Sequence, residues 1–225
     1  MIFIEINQNF GGEAKFLPFF IITAALVWIF LVFYSYKKYG TKRTIIYFLP
    51  MIIAALFIES AGVASGRYYY PGYIIYLSVV GGGVPLVLVL AWSAMLFLFL
   101  NMGKHVVSRF YSKENKIQIF LISFVAGFFS LCIDLIQDPL AHHNNWWVWE
   151  ETLAEANFYG VPILNFIGWF ILIFYMTFTT ILIERSSFSE NRKLLLSISS
   201  IAITGILIFI THGLIARFLL LIGLA

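Results

Sequence analysis

Three carboxylates stand where acids are costly. Asp134 and Asp138 occur in "SLCIDLIQDP" and Glu59 in "LFIESAGVASG", each at the end of a long apolar run. A carboxylate inside a membrane span normally faces the interior of the bundle and marks a functional path. Asp134 and Asp138 are spaced i, i+4, which places both on one helix face. Two carboxyls held that close repel when both are ionised, and a pair that keeps one proton is a general acid. Asp134, the deeper member, is the expected proton donor. Asp138 precedes Pro139, the usual place for a helix to stop, so capping or turn duty stands beside chemistry for it. Glu59 is expected to hold a water or to take back a proton; pairing with Arg67, or a hydrogen bond at a helix end, is the structural alternative.

Aromatic residues crowd the same places. Tyr68, Tyr69 and Tyr70 follow Glu59, and Trp146, Trp147 and Trp149 follow the aspartates. A belt at the membrane interface explains any one of these rings. Their clustering beside buried acids suggests more, because aromatic faces stabilise desolvated cations by roughly 2 kcal/mol or more. A protonated alkene in a lipid-like pocket would be such a cation. Tyr68, Tyr70, Trp92, Trp146, Trp149, Asn165 and Trp169 are therefore the candidate substrate-binding residues. The amide of Asn165 both donates and accepts, which suits it to placing a water or to joining two helices.

The elements that must position these groups are membrane helices. The chain has 225 residues, 61% hydrophobic and 11% charged, with mean hydropathy +0.93. That is more apolar surface than one soluble core hides. Six runs are long enough to cross a core of about 30 Å: Phe16 to Tyr36, Thr44 to Ala64, Gly83 to Met102, Ile117 to Gln137, Val161 to Ile183 and Leu194 to Ile210. The last continues as "THGLIARFLLLIGLA", which predicts a bend near Gly213 or a short seventh or re-entrant piece. The fold class is thus an all-α integral membrane protein of six or seven spans, with residues 1–225 as one domain. The first run follows an acidic start and has no small-residue cleavage site, so it reads as a retained span.

Charge sets the expected orientation. The loops after the first, third and fifth spans hold eleven of the fourteen basic residues, among them Lys37, Lys104 and Arg192. Eight of the eleven acids lie on the other side: Glu5, Glu13, Glu59, Asp134, Asp138, Glu150, Glu151 and Glu155. Basic loops stay in the cytoplasm, so both termini are expected outside the cell membrane. The net charge of +3 then reflects topology, with no sign of a nucleic-acid surface.

A repeat organises the helices. "GVPLVLVLAW" (Gly83 to Trp92) and "GVPILNFIGW" (Gly160 to Trp169) share Gly-Val-Pro followed by Trp at an offset of 77 residues, and each opens a span that follows an acid-bearing one. Proline in the first turn of a helix forfeits no hydrogen bond. Repeats related by an axis along the membrane normal would bring Glu59 and the aspartates to one outward-opening cleft.

Other chemistries lack parts. The single Cys132 gives no disulfide or thiolate cluster, and four histidines are too few for a histidine-box di-iron site. His142 and His143 read as a polar turn at the interface. Asp134 and Asp138 resemble half of a prenyltransferase diphosphate site without its second acidic motif. No span carries the lysine that a retinal Schiff base requires.

Together, "ESAGVASGRYYYPG", "GGGVPLVLVLAW" and "DLIQDPLAHHNNWWVWE...FYGVPILNFIGW" resemble the membrane carotenoid biosynthesis protein family that includes the carotenoid 1,2-hydratases, of the bisanhydrobacterioruberin hydratase and γ-carotene hydratase type. The match covers about Glu59 to Trp169, and the flanking spans agree in hydropathy only. The resemblance implies addition of water across the terminal double bond of an acyclic (ψ) carotenoid end within the bilayer, with no redox cofactor. Two alternatives stand beside it. Capture of the same cation by an internal alkene would make a lycopene-type cyclase, and absence of chemistry would leave a pigment- or lipid-binding membrane protein.

Overall fold

A computed structural model describes residues 2–7, 14–150 and 156–221. Glu13, Glu151 and Glu155, counted above among the outer acids, lie outside the described residues. In chain order the elements are β1 (Phe3–Ile6), α1 (Leu17–Ala64), β2 (Tyr68–Tyr69), β3 (Ile75–Ser78), β4 (Val84–Pro85), α2 (Leu86–Phe110), α3 (Lys116–His143), β5 (Val148–Trp149), β6 (Asn157–Phe158), β7 (Val161–Pro162), α4 (Ile163–Arg185) and α5 (Glu190–Leu221). All five helices are long and apolar enough to cross a membrane. Phe19, Phe30, Phe209 and Leu221 face outward, as a protein solvated by lipid requires.

The first helix contains two of the expected spans. At 48 residues α1 would be roughly 72 Å long if straight, more than twice the thickness of a bilayer core. It breaks at Gly40, whose φ of 78° and ψ of 172° suit a residue without Cβ. The Ser35 and Thr44 hydroxyls meet across the break at 3.0 Å. On the first arm Trp28 Nε1 donates to Ser93 Oγ at 3.0 Å and Tyr39 Oη donates to Asn101 Oδ1 at 3.3 Å, so that arm runs alongside α2 in the same direction. On the second, Phe48 packs on Phe97 and Glu59 faces Trp92. The second arm therefore runs against α2, and the chain reverses at Gly40.

Two expectations about helix ends are corrected. No bend occurs at Gly213: α5 runs unbroken from Glu190 to Leu221, and no separate seventh piece exists among the described residues. The stretch Thr211 to Leu221 holds no proline, and sharp kinks need a proline or an inserted group. α3 also does not stop before Pro139 but continues to His143. Its last turn is held by Asn144, whose backbone N–H and side-chain Nδ2 both donate to Leu140 O, at 3.1 and 2.8 Å. Asp138 is therefore interior to its helix, and the capping role falls away.

The two Gly-Val-Pro copies open their helices in the same way. Pro85 and Pro162 occupy the N-cap positions of α2 and α4 in matching conformations, φ −59°, ψ 129° and φ −58°, ψ 134°. They sit one place earlier than the first helical turn, which fits the missing N–H equally well. Adjacent helices pack in chain order, and α5 returns to α1. Gly103 and Gly127 permit the close approaches of α2 to α3 and of α3 to α4, since a Cβ there would lie 2.7 Å from Ile122 O and 2.9 Å from Phe170 O.

The ends of the bundle differ in chemistry. At one, basic residues pair with Glu184 and Glu190, Lys104 Nζ lying 2.6 Å from Glu184 Oε2 and Arg43 3.5 Å from Glu190. At the other, short strands and loops cover the helix ends. β3 pairs antiparallel with β1 and β4, and β2 pairs antiparallel with β5, Tyr68 opposite Trp149. That last pair joins the loop after the Glu59 helix to the loop after the aspartate helix.

Candidate active site

Beneath the β2–β5 pair lies a cavity of about 480 Å³ whose walls come from every helix of the bundle. This falls within the range of pockets that hold small molecules, roughly 300–1,000 Å³. Glu59 of α1 lies on one wall; Asp138 of α3 and Asn165 of α4 lie on another. The repeat thus brings its acids to a single cavity.

Glu59, only 3% exposed, is held by neutral donors. Tyr68 Oη donates to Oε2 at 2.7 Å, Tyr70 Oη donates to the same oxygen, and the Trp92 indole is also directed at the carboxyl. Tyr68 and Tyr70 are two apart in extended chain, so both rings leave the same side. Burial first, then the charge of Glu59, pushes both phenols well above their usual range, which keeps them as donors. Tyr76 Oη, donating to Tyr70 O at 2.6 Å, fixes the loop. Next to Glu59, Ser60 Oγ donates to Gly82 O at 2.5 Å and accepts from Val79 N at 3.3 Å. This pins the glycine-rich loop against α1.

The second acid centre is a carboxyl pair. Asp134 and Asp138, each 2% exposed, hydrogen-bond one another. Asn165 Nδ2 donates to Asp138 Oδ2 at 2.5 Å and to Asp134 Oδ2 at 3.3 Å, so the amide ties α4 to α3 while fixing the pair. The Trp147 indole is also directed at Asp138. Asp138 lines the cavity, whereas Asp134 does not; it sits one turn deeper, with Oδ1 unpartnered. No ion pair joins any of the three carboxylates to a cation among the described residues. Arg67 lines the cavity without pairing with Glu59, so that structural alternative falls away.

The aromatic walls follow the repeat. Trp92 and Trp169, at matching positions of the two copies, stack at 3.5 Å with an interplanar angle of 18°. Residues at equivalent positions touch each other when they flank a pseudo-two-fold axis. Tyr68, Tyr70, Trp92, Trp149, Asn165 and Trp169 all line the cavity as expected, and Trp146 does not. Its indole donates to Lys15 O at 2.6 Å and its ring stacks on Phe20 at 4.5 Å. Trp147 stands in the cavity instead. The signal was the two-residue period: in extended chain Trp147 shares a side with Trp149, and Trp146 faces away. Tyr70 and Trp147 are also separated by the repeat offset, and each is directed at the acid of its own copy. His212 of α5 is a second residue that sequence reasoning missed; it lines the cavity and its Nε2 lies 3.3 Å from Leu164 O.

Fold and site together define a multi-pass helical membrane protein with a buried, aromatic-walled acid pocket. The chain matches the carotenoid biosynthesis protein family over residues 18–225 and belongs to it. No curated protein and no solved structure matches the chain.

Proposed function

We propose that this protein hydrates the terminal C=C of an acyclic (ψ) carotenoid end. One observation carries the reading: Glu59 and Asp138 share a cavity, Asp134 lies one turn behind Asp138, and every assigned partner of the three is a neutral donor or another acid. A carboxyl pair without a cation retains a proton to give, and an alkene needs a proton to react. Asp138, at the cavity surface, delivers the proton that it shares with Asp134. This moves the transfer itself from Asp134 to its neighbour, with Asp134 as the proton's second holder. The new C–H bond leaves a tertiary cation facing Trp92, Trp149 and Trp169, whose ring faces stabilise it. Water adds to that carbon, and Glu59 takes the proton the water loses. Return of this proton to the aspartates restores the acid, for a net addition of one water. Asn165 holds the aspartates in place, Tyr68 and Tyr70 orient Glu59, and the reaction requires no redox cofactor.

The substrate is a carotenoid or other isoprenoid within the bilayer, surrounded by lipids. In this reading residues 1–225 form one domain of six crossings, α1 supplying two, with the cavity and both termini outside the cell membrane. A reporter active only in the cytoplasm should work when fused after Lys113 or Arg192 and fail after Glu150; the reverse pattern would refute the orientation.

Expression in a host that makes acyclic carotenoids, followed by mass spectrometry, tests the function. Hydration adds one water per reacted end. A ring-bearing isomer of unchanged mass would instead identify a cyclase, and unchanged pigment bound to the protein would identify a binding protein.

A further inference from the structure

One wall of the cavity consists of residues that face outward. Ile58 and Ala61 of α1 line it from one side and Gly205 and Phe209 of α5 from the other, and all four are exposed. Each set repeats at three- or four-residue intervals, so each is a single helix face. The two helices are joined at the basic end, where Arg43 meets Glu190 at 3.5 Å and Lys42 donates to Asn191 Oδ1 at 2.8 Å. Toward the acids the contact gives out: Lys193, Ser197 and Thr204 are the buried residues of α5, and none follows Thr204. The helices therefore part at the level of the cavity, leaving a slot that faces the hydrocarbon. Inside, Trp149 is 7% exposed and its indole N–H has no partner.

We propose that this slot is the entry path of the substrate, and that Gly205 is a specificity-determining residue that sets its width. A linear isoprenoid chain enters end-on from the bilayer, its terminus reaching Glu59 and Asp138 while the remainder stays between α1 and α5. The proposal rests on the carotenoid reading above and adds to it a route and a shape requirement. An apolar rim fits a chain that never leaves the hydrocarbon. The glycine itself is informative, because a Cβ at Gly205 would meet nothing within 4 Å. Helix packing does not account for this glycine: at Gly103 and Gly127 a Cβ would strike the neighbouring helix, and at Gly205 the space is open. The same open space means that a large side chain there fills the slot without displacing the bundle.

The test is Gly205→Phe in the full chain, expressed in a host that makes an acyclic carotenoid. Two quantities are measured: pigment retained per purified protein, from visible absorption, and hydrated product. Both should fall by about tenfold or more, the scale on which pockets discriminate by shape. Gly213→Phe, on the same helix with equally open surroundings but away from the cavity, should match the wild type. If Gly205→Phe fails to fold, Ala61→Phe fills the slot from the opposite side and should give the same loss. Wild-type pigment retention in either folded variant overturns the slot. A wild-type protein that retains acyclic pigment without hydrating it overturns the reaction and leaves the slot standing on the retention measurement. A wild-type protein that neither retains nor hydrates the pigment overturns both.

Discussion

Glu184 and Glu59 are both glutamates on membrane helices, at opposite ends of one bundle, and their surroundings give them opposite roles. Glu184 has a cation: Lys104 reaches its Oε2 at 2.6 Å, Tyr47 donates to Oε1 at 3.0 Å, and Lys193 binds its backbone carbonyl at 3.0 Å. Glu59 has two tyrosines and a tryptophan, and the aspartates opposite have each other and an asparagine. A cation fixes a carboxylate as an anion, which suits a tie between helices. Neutral donors favour the anion less strongly than a full positive charge does, so a carboxyl held by them alone exchanges a proton more readily. In the proposed reaction, what separates the structural acid from the reactive ones is the partner, not burial alone.

This comparison makes its strongest claim about activity. Asp138→Asn preserves shape and removes the transferable proton, so product formed per protein should fall by roughly 10²-fold or more, with pigment retention unchanged. Glu184→Gln should leave turnover as it was. A dead Glu184→Gln beside a working Asp138→Asn would reverse the assignment of the two ends. Asp134→Asn and Glu59→Gln sharpen it further, each expected to cost on the same scale as the loss of a general acid or base.

A smaller effect separates the acid from its supports. Tyr70→Phe leaves Glu59 with Tyr68 and Trp92, so turnover should drop by about tenfold, at the low end of the roughly 1.5–3 kcal/mol expected of one hydrogen bond to a charged group. If Tyr70→Phe were as inactive as Glu59→Gln, the tyrosine itself would be handling the proton. The smallest expected change is at the basic end. Glu184→Gln removes a half-buried ion pair and should destabilise by about 1 kcal/mol, read as a lower thermal midpoint in detergent. Glu184→Leu combined with Lys104→Met should recover much of that loss, because apolar replacement of a partly buried pair is often neutral.

Much of this was legible before any coordinates. The apolar runs located all five helices, and the Gly-Val-Pro copies marked the starts of α2 and α4. The acids and most of the rings that accompany them were also found. What went unread depended on rotation and partner. Asp134 and Asp138 share a face by spacing, but which of them meets the cavity depends on how α3 is turned against α4. Trp146 and Trp147 are neighbours of identical type, and only strand geometry sends one to the cavity and the other to Phe20. Helix ends were misjudged at Pro139 and Gly213 because local preference was overruled: Asn144 holds the last turn of α3, and nothing presses on α5 to bend it.

The sequence by itself determined that this chain lies in a membrane, that three of its acids sit where ionisation is costly, and that two of its helices open on the same Gly-Val-Pro motif. These follow from transfer free energies and periodicities, which each residue or segment carries with it wherever it is placed. Only the tertiary structure decided that Glu59 would find Tyr68 and Tyr70 and not Arg67, and that Asn165 would bridge two aspartates. It also decided that α1 and α5 would part beside Gly205. A partner is fixed by the mutual rotation and separation of helices distant in the chain, and those are set by the packing of all of them at once.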